Sequence, residues 1–392
     1  MNILSRKKIV LLGMMSRIPV AGEVWGTVQY LLGFERLGYE VYYVEAHGRT
    51  PSMLMEREDD DSSAKAAAFI DEVMRRFDLG DHWAYQALHA DGRYHGMSEG
   101  QLKELYGSAA LIINHHGGTE PLPEHSATGR LIYLETDPVE LEIELYNNDP
   151  KAIAFLAPHC AFFSWGLNYG HADCQVPLSE RFRFRPTRQP VLMDLWEHNH
   201  NGAAETFTTV GNWRQRGQVK FKGEVYTWSK HHEFLKFLDL PRRTSQAFEL
   251  ALSSGSYDAA DQRLIESNGW RLRDALEFSR DLDAYRNYVT ASRGEFTVAK
   301  DQNIRLRSGW FSERSAQYLA AGRPVITQET GFSNVLPTGQ GLFAFSTMEE
   351  ILEAVESINS DYDKHRRAAT ALAREYFSYD VVLKELLAEV GL

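Results

Sequence analysis

Cysteine is scarce in this chain: Cys160 and Cys174 are the only two among 392 residues. One possible pair in so long a chain is no disulfide framework, and no Cys/His spacing suggests zinc. The composition fits a reducing cytoplasm. Long apolar runs are missing as well, since no segment approaches the ~20 apolar residues needed to span a bilayer. The nearest imitation of a targeting signal is Arg6, Lys7 and Lys8 ahead of the run IVLLGMM at 9–15. That run is short and a strong helical pattern follows it, so it reads as a first buried strand. Positive charge is in deficit: 42 Lys and Arg against 54 Asp and Glu leave a formal net charge of −12. This argues against general nucleic-acid binding, which needs clustered cations for the phosphates. It leaves room for a local basic pocket. Short-period repeats and low-complexity tracts are absent. The first turn, LLGMMSRIPVAG, lacks the G-x-G-x-x-G spacing of a dinucleotide-binding dehydrogenase.

What is present is an alternation of strand and helix signals, in a chain long enough for two domains with their own cores. Residues 8–13 read as a parallel strand, apolar on both faces. A loop and a helix at 23–37 follow, closed by Gly38, and then a strand at 39–44. Residues 53–77 are charged and Ala-rich and read as helix, with the acidic run 58–61 as a solvated loop or cap. A helix at 98–106 leads to strand 109–114, which ends in His115 and His116, and strand 131–135 ends in Thr136 and Asp137. Strand ends carry the functional loops of open α/β sheets, so these residues belong to one rim. The Arg- and Pro-rich stretch 179–190 reads as a linker. Strands at 206–210, 247–252, 294–299 and 324–328, with helices between them, then repeat the pattern. Helices at 348–356, 362–376 and 379–390 close the chain. The expectation is an α/β protein of two similar halves facing a cleft.

The richest stretch is 308–341, SGWFSERSAQYLAAGRPVITQETGFSNVLPTGQG. Ser312 caps a helix that Gly322 and Pro324 end. Arg314 and Gln317 are three apart and share its face. An arginine near a helix N-terminus facing a cleft is a phosphate ligand; the alternative is a surface pair with Glu313. In the turn Thr330-Gly331-Phe332, the glycine permits close backbone approach and the next amides can cradle a diphosphate. Lys300, at a strand end, and the locally basic loop of Arg305 and Arg307 add cations in an acidic protein. Trp25, Trp213, Trp310 and Phe332 either stack on a ring of the ligand or simply pack.

The segment QYLAAGRPVITQETGFSNVLPTGQGLFAFSTMEEILEAV resembles the donor-site block of the GT-B glycosyltransferases. The C-terminal ALAREYFSYDVVLKELL resembles the end of that fold, where the last helix crosses back to the N-terminal domain. The resemblance implies two Rossmann-like domains facing a cleft, at 1–185 and 190–375, and a returning helix at 376–392. It implies a nucleotide-diphosphate sugar as donor substrate, no cofactor and no metal; no D-x-D stands at a strand end. Implied donor-site residues are Gly211, Asn212, Lys300, Ser308, Trp310, Arg314, Gln317, Thr330, Gly331 and Phe332. Gln317 falls where retaining members place a ribose-binding Glu, and the other acid of their E-x7-E pattern falls at Gly309, where it is missing. The loop MSRIPVAGEVWG lies at the family's acceptor loop, which places Gly22 and Trp25 near the acceptor. The candidate bases are His116, Asp137, His115 and Glu23. The acceptor stays open among a small natural product, a saccharide, a modified base and a protein side chain. A sugar-nucleotide epimerase and a non-catalytic nucleotide-sugar-binding protein are the competing readings.

Overall fold

The computed structural model describes residues 6–197 and 204–392. Two sheets organise it. The first contains β1 (Lys8–Leu12), β2 (Glu40–Glu45), β3 (Trp83–Gln86), β4 (Tyr94–His95), β5 (Ala109–His115), β6 (Leu131–Glu135), β7 (Ala161–Ser164) and β8 (Phe184–Pro186). Their order is β4-β3-β2-β1-β5-β6-β7-β8, parallel except at β3–β4. β1 reads as a continuous apolar run because β2 and β5 flank it and both of its faces are covered: Ile9 to Leu12 are at most 1% exposed.

The second half starts with β9 (Thr206–Gly211) and a small hairpin of β10 (Gln218–Phe221) and β11 (Glu224–Thr227). It continues through β12 (Ala247–Leu252), β13 (Arg271–Asp274), β14 (Gly294–Thr297), β15 (Val325–Gln328) and β16 (Leu342–Phe345). The second sheet runs β13-β12-β9-β14-β15-β16, all parallel. Each sheet reverses its strand order next to its first strand, so a ligand crevice opens at β1/β5 and at β9/β14.

Helix Ala21–Arg36 lies between the halves and is buried nearly all round, from Ala21 through Phe34. The final helix, Tyr379–Glu389, crosses back onto it: a Cβ on Gly33 would stand 2.5 Å from Leu383 Cδ1. Arg185 Nη1 donates to the Glu389 carbonyl at 3.0 Å, binding the same helix to the first sheet.

Two expectations change. The helix read at 53–77 forms only over Ser62–Arg76; Asp61 caps it by accepting from the Ala64 N–H at 3.0 Å. Part of the stretch read as linker is β8, an edge strand, where proline does no harm to the ladder. The loop after β1 is tethered to the first half. Buried Glu45 accepts the Ser16 N–H at 2.8 Å and the Tyr43 hydroxyl at 2.5 Å.

Candidate functional site

The carboxyl ends of the two sheets face each other across a cleft with two cavities, about 410 Å³ and about 940 Å³. Ile18 lines both, so they are neighbours. The smaller is walled mainly by the second half, with Gly211 and Asn212 at the end of β9 and Arg314 and Gln317 on helix Glu313–Ala320. The larger lies over the ends of β5 and β6 and contains His116, Glu135 and Asp137.

Arg314 is held in place by the protein. Its Nε donates to Glu295 Oε1 at 2.5 Å, Nη1 to the Val210 carbonyl at 2.5 Å and Nη2 to Thr297 Oγ1 at 3.1 Å. Burial is the largest influence and works against its charge, but Glu295 together with Tyr285 and Tyr318 overcomes it, so its pKa stands above the ordinary value. Gln317 accepts from the Tyr285 hydroxyl at 3.1 Å and donates to Glu313 Oε1 at 3.2 Å. Burial, then the nearby Glu23, holds the Glu313 carboxyl well above the usual carboxylate range.

Two lysines join Arg314. The Lys300 ammonium lies 3.8 Å over the Trp228 ring and pairs with Asp137 from the other half. The Lys230 ammonium lies 5.0 Å over the Trp310 ring and, among the described residues, makes no ion pair or hydrogen bond. Burial first, then Arg314, pushes its pKa down to about 7. Arg314 and Lys300 disfavour its charge while Glu295 and Asp137 favour it, and a cation in such a setting with no ion pair of its own suits an anion.

On the facing rim, His116 takes a left-handed φ of 61°. Its Nδ1 is 2.6 Å from Thr136 Oγ1 and its Nε2 is 3.2 Å from Glu23 Oε1. Held from both nitrogens, His116 lines the larger cavity together with Glu23 and Asp137. His115 stacks behind it with ring centroids 3.5 Å apart. It is fully buried, lines neither cavity, and burial keeps its pKa well below the ordinary value. That placement removes it from contact with a substrate in either cavity.

The sequence-predicted donor residues divide into two groups. Gly211, Asn212, Trp310, Arg314 and Gln317 share the smaller cavity, and Gly22 joins them there. Lys300, Ser308, Thr330, Gly331 and Phe332 line neither cavity. Ser308 Oγ donates to Asn303 Oδ1 at 2.8 Å and Thr330 Oγ1 to the Trp310 carbonyl at 2.8 Å. The Gly331 N–H is taken by the Glu329 carboxylate, and at φ 101° a Cβ there would meet Asn168 Nδ2 at 2.5 Å. Phe332 is in the core. The turn therefore braces Trp310 and the opposite half instead of offering amides to a diphosphate. Trp25, placed near the acceptor from the sequence, is 1% exposed, and its indole N–H donates to the Leu282 carbonyl at 3.1 Å. Lys230, Glu313 and Glu295 were missed. In the sequence, the local trace of Lys230 is a lysine two positions after Trp228 and ahead of two histidines, with Glu233 three positions on.

Comparison of the sequence with protein-family models and with curated proteins finds no match. Solved structures do match over the whole chain. An alpha-glucosyltransferase in complex with UDP aligns with a TM-score of 0.60 at 10% identity, covering 99% of this chain and 100% of that one. HepE from Anabaena, in complex with UDP and glucose, aligns at 0.55 and 13% identity, over 98% and 99%. Sucrose-phosphate synthase from Thermosynechococcus elongatus aligns at 0.52 and 11%, also over 98% and 99%. The chain has the GT-B fold, with two Rossmann-like halves and the returning C-terminal helix. No helix among the described residues is long and apolar enough to cross a membrane.

Proposed function

We propose that this protein is a glycosyltransferase that moves a sugar from a nucleoside-diphosphate donor to an acceptor hydroxyl. The observation that carries the reading is the group Arg314, Lys230 and Lys300 beside the cleft, of which Lys230 makes no ion pair among the described residues. A diphosphate supplies the charge this group needs. The base and ribose then lie in the smaller cavity beside Gly211, Asn212 and Gln317. UDP in two of the similar structures favours uridine.

The acceptor enters the larger cavity. His116 is the base we favour. With Nδ1–H donated to Thr136 Oγ1, its Nε2 lone pair takes the acceptor's proton once the acceptor hydroxyl displaces Glu23, whose Oε1 stands 3.2 Å from the buried Nε2. As the glycosidic bond to the diphosphate breaks, Arg314 and Lys230 receive the growing negative charge from fixed positions. These cations do the work a metal ion would otherwise do, so turnover is expected to survive EDTA. One similar alpha-glucosyltransferase was captured with a 13-mer DNA. A DNA acceptor does not suit the present chain, whose net charge is −12 and whose larger cavity is acidic.

A thermal-shift panel of UDP, TDP, GDP and ADP tests the donor half. At 100 times its Kd a bound diphosphate adds about 2.7 kcal/mol of stability. Lys230→Ala and Arg314→Ala are expected to weaken binding about tenfold or more each. No shift with any of the four would refute the donor reading. Release of UDP from UDP-glucose separates an enzyme from a binding protein; His116→Ala is expected to slow it by roughly 10²–10⁴. Unchanged rates in that variant would remove His116 from the mechanism.

A further inference from the structure

Strand β6 runs into Thr136, Asp137 and Pro138, and each of these three consecutive residues is gripped by a side chain of the second half. The Trp310 indole N–H donates to the Thr136 carbonyl at 3.1 Å. The Lys300 ammonium pairs with the Asp137 carboxylate. Gln302, fully buried, donates from Nε2 to the Pro138 carbonyl at 3.3 Å. The next residue, Val139, gives its N–H to Glu142 Oε2 at 2.8 Å. This corner of the first half is therefore placed mainly from across the cleft.

The same corner holds His116. Its main-chain N–H donates to the Leu134 carbonyl of β6 at 3.1 Å, and its ring Nδ1 stands 2.6 Å from Thr136 Oγ1. Glu23 Oε1 approaches Nε2 to 3.2 Å, but among the described residues Thr136 makes the only hydrogen bond to the ring. The Thr136 hydroxyl has no other protein partner among them either. Backbone strain shows how firmly the region is set. His116 at φ 61° and the β-branched Val139 at φ 102° are both left-handed, which persists only where surrounding contacts impose it.

Thr136 thus faces two ways. Its hydroxyl meets the ring of the proposed base in the larger cavity. Its carbonyl takes the N–H of Trp310, which lines the smaller cavity and lies 5.0 Å beneath the Lys230 ammonium. We infer that Thr136 is a positioning residue: it fixes the His116 ring with Nδ1–H donated and Nε2 free of a proton, and Trp310 of the donor half fixes Thr136. The inference rests on the proposed function, in which His116 is the base, and says what orients that base. A base placed by the half that binds the donor stays in register with the bond that breaks there. A hydroxyl suits the task. A carboxylate in its place would orient the ring but also favour the imidazolium, whereas the neutral hydroxyl selects a tautomer and leaves the ring uncharged.

The test reads the His116 ring nitrogens directly, by NMR of the full chain carrying isotope-labelled histidine. His116→Asn identifies the signals, since asparagine tolerates a left-handed backbone. The neutral ring of the parent is expected to carry its proton on Nδ1. Thr136→Val keeps the shape, removes the hydroxyl, and is expected to shift the tautomer ratio toward Nε2–H by about fivefold or more. Thr136→Ser is expected to keep the parent tautomer. Trp310→Phe leaves an aromatic ring under Lys230 but deletes the N–H; it is expected to move the same signals, although Trp310 makes no hydrogen bond to His116. With UDP-glucose, Thr136→Val is expected to lower kcat about tenfold or more at an unchanged KM, and Thr136→Ser to stay near the parent. An Nε2–H tautomer in the parent, an unchanged tautomer in Thr136→Val, or unmoved signals in Trp310→Phe would each overturn the inference. A loss confined to KM would do the same. A parent that releases no UDP removes the transferase reading; the tautomer comparison needs no turnover and still decides whether Thr136 and Trp310 orient the ring.

Discussion

At the scale of single residues, Lys230 makes the sharpest prediction. Its pKa falls from an ordinary 10.5 to about 7 on burial beside Arg314. Between those values the unfolded chain holds more protons than the folded one, so this group adds stability as pH rises from 7 toward 10.5 and costs most below 7. A diphosphate reverses the balance by favouring the charged amine. UDP binding at pH 8 is therefore expected to take up a proton, by as much as about one per site, and to weaken as pH climbs. Calorimetry in two buffers of different ionisation heat measures the uptake; Lys230→Met is expected to abolish it. The same uptake in the variant would show that another group is responsible. Arg314 and Gln317 were legible from local spacing because both lie on one short helix. Lys230 was not, because its state depends on Trp310 and Arg314, eighty or more positions away. Thr330 and Gly331 were misread for a related reason. The sequence shows a permissive turn but not the Asn168 side chain that fills the space beside it.

At the scale of elements, the closeness of two helices rests on one missing methyl group. A glycine inside a helix normally costs ~1 kcal/mol relative to alanine. Gly26 inverts that rule: a Cβ there would lie 2.5 Å from Glu313 Oε2. Gly26→Ala is expected to destabilise the protein by about 1–3 kcal/mol, and Glu313→Ala in the same chain to recover most of it. Gly107, on helix Glu99–Ser108 with nothing within 4 Å of its Cβ position, is the control; Gly107→Ala is expected to stabilise by roughly 0.5–1 kcal/mol. Denaturant melts of the three variants decide the matter, and a stabilising Gly26→Ala would contradict the contact. Elements with strong internal pattern were readable: β12, β6 and helix Leu282–Ala291 fall where apolar runs and helical spacing place them. Those defined by partners were not. β10 and β11 alternate weakly and pair only with each other, and β8 hides in a stretch of arginine and proline because an edge strand tolerates both.

At the scale of the molecule, the two halves do not have separate cores. One apolar cluster runs from Ile9 and Leu11 of β1 through Trp25, Val289 and Leu319 to Val325 of β15, and includes Phe377, Leu383 and Leu386 near the C-terminus. The outer faces of the sheets carry their own smaller clusters, Phe207 to Ile358 on one and Val10 to Leu131 on the other. Helix Tyr379–Glu389 thus closes a layer to which both halves contribute. Leu383 is fully buried against Gly33, so Leu383→Ala is expected to cost about 2–5 kcal/mol. Because the layer is shared, the loss falls on the whole chain. Far-UV circular dichroism and tryptophan fluorescence are expected to report one transition, moved to lower temperature in the variant and moved back up by UDP. Trp25 and Trp196, 5.5 Å apart in the shared layer, and Trp213 in the second half's own cluster report on different regions of the structure. Coincident signals support a single cooperative unit. A biphasic melt, with the UDP-sensitive phase left where it was, would mean that the second half stands alone and that the returning helix serves only the first.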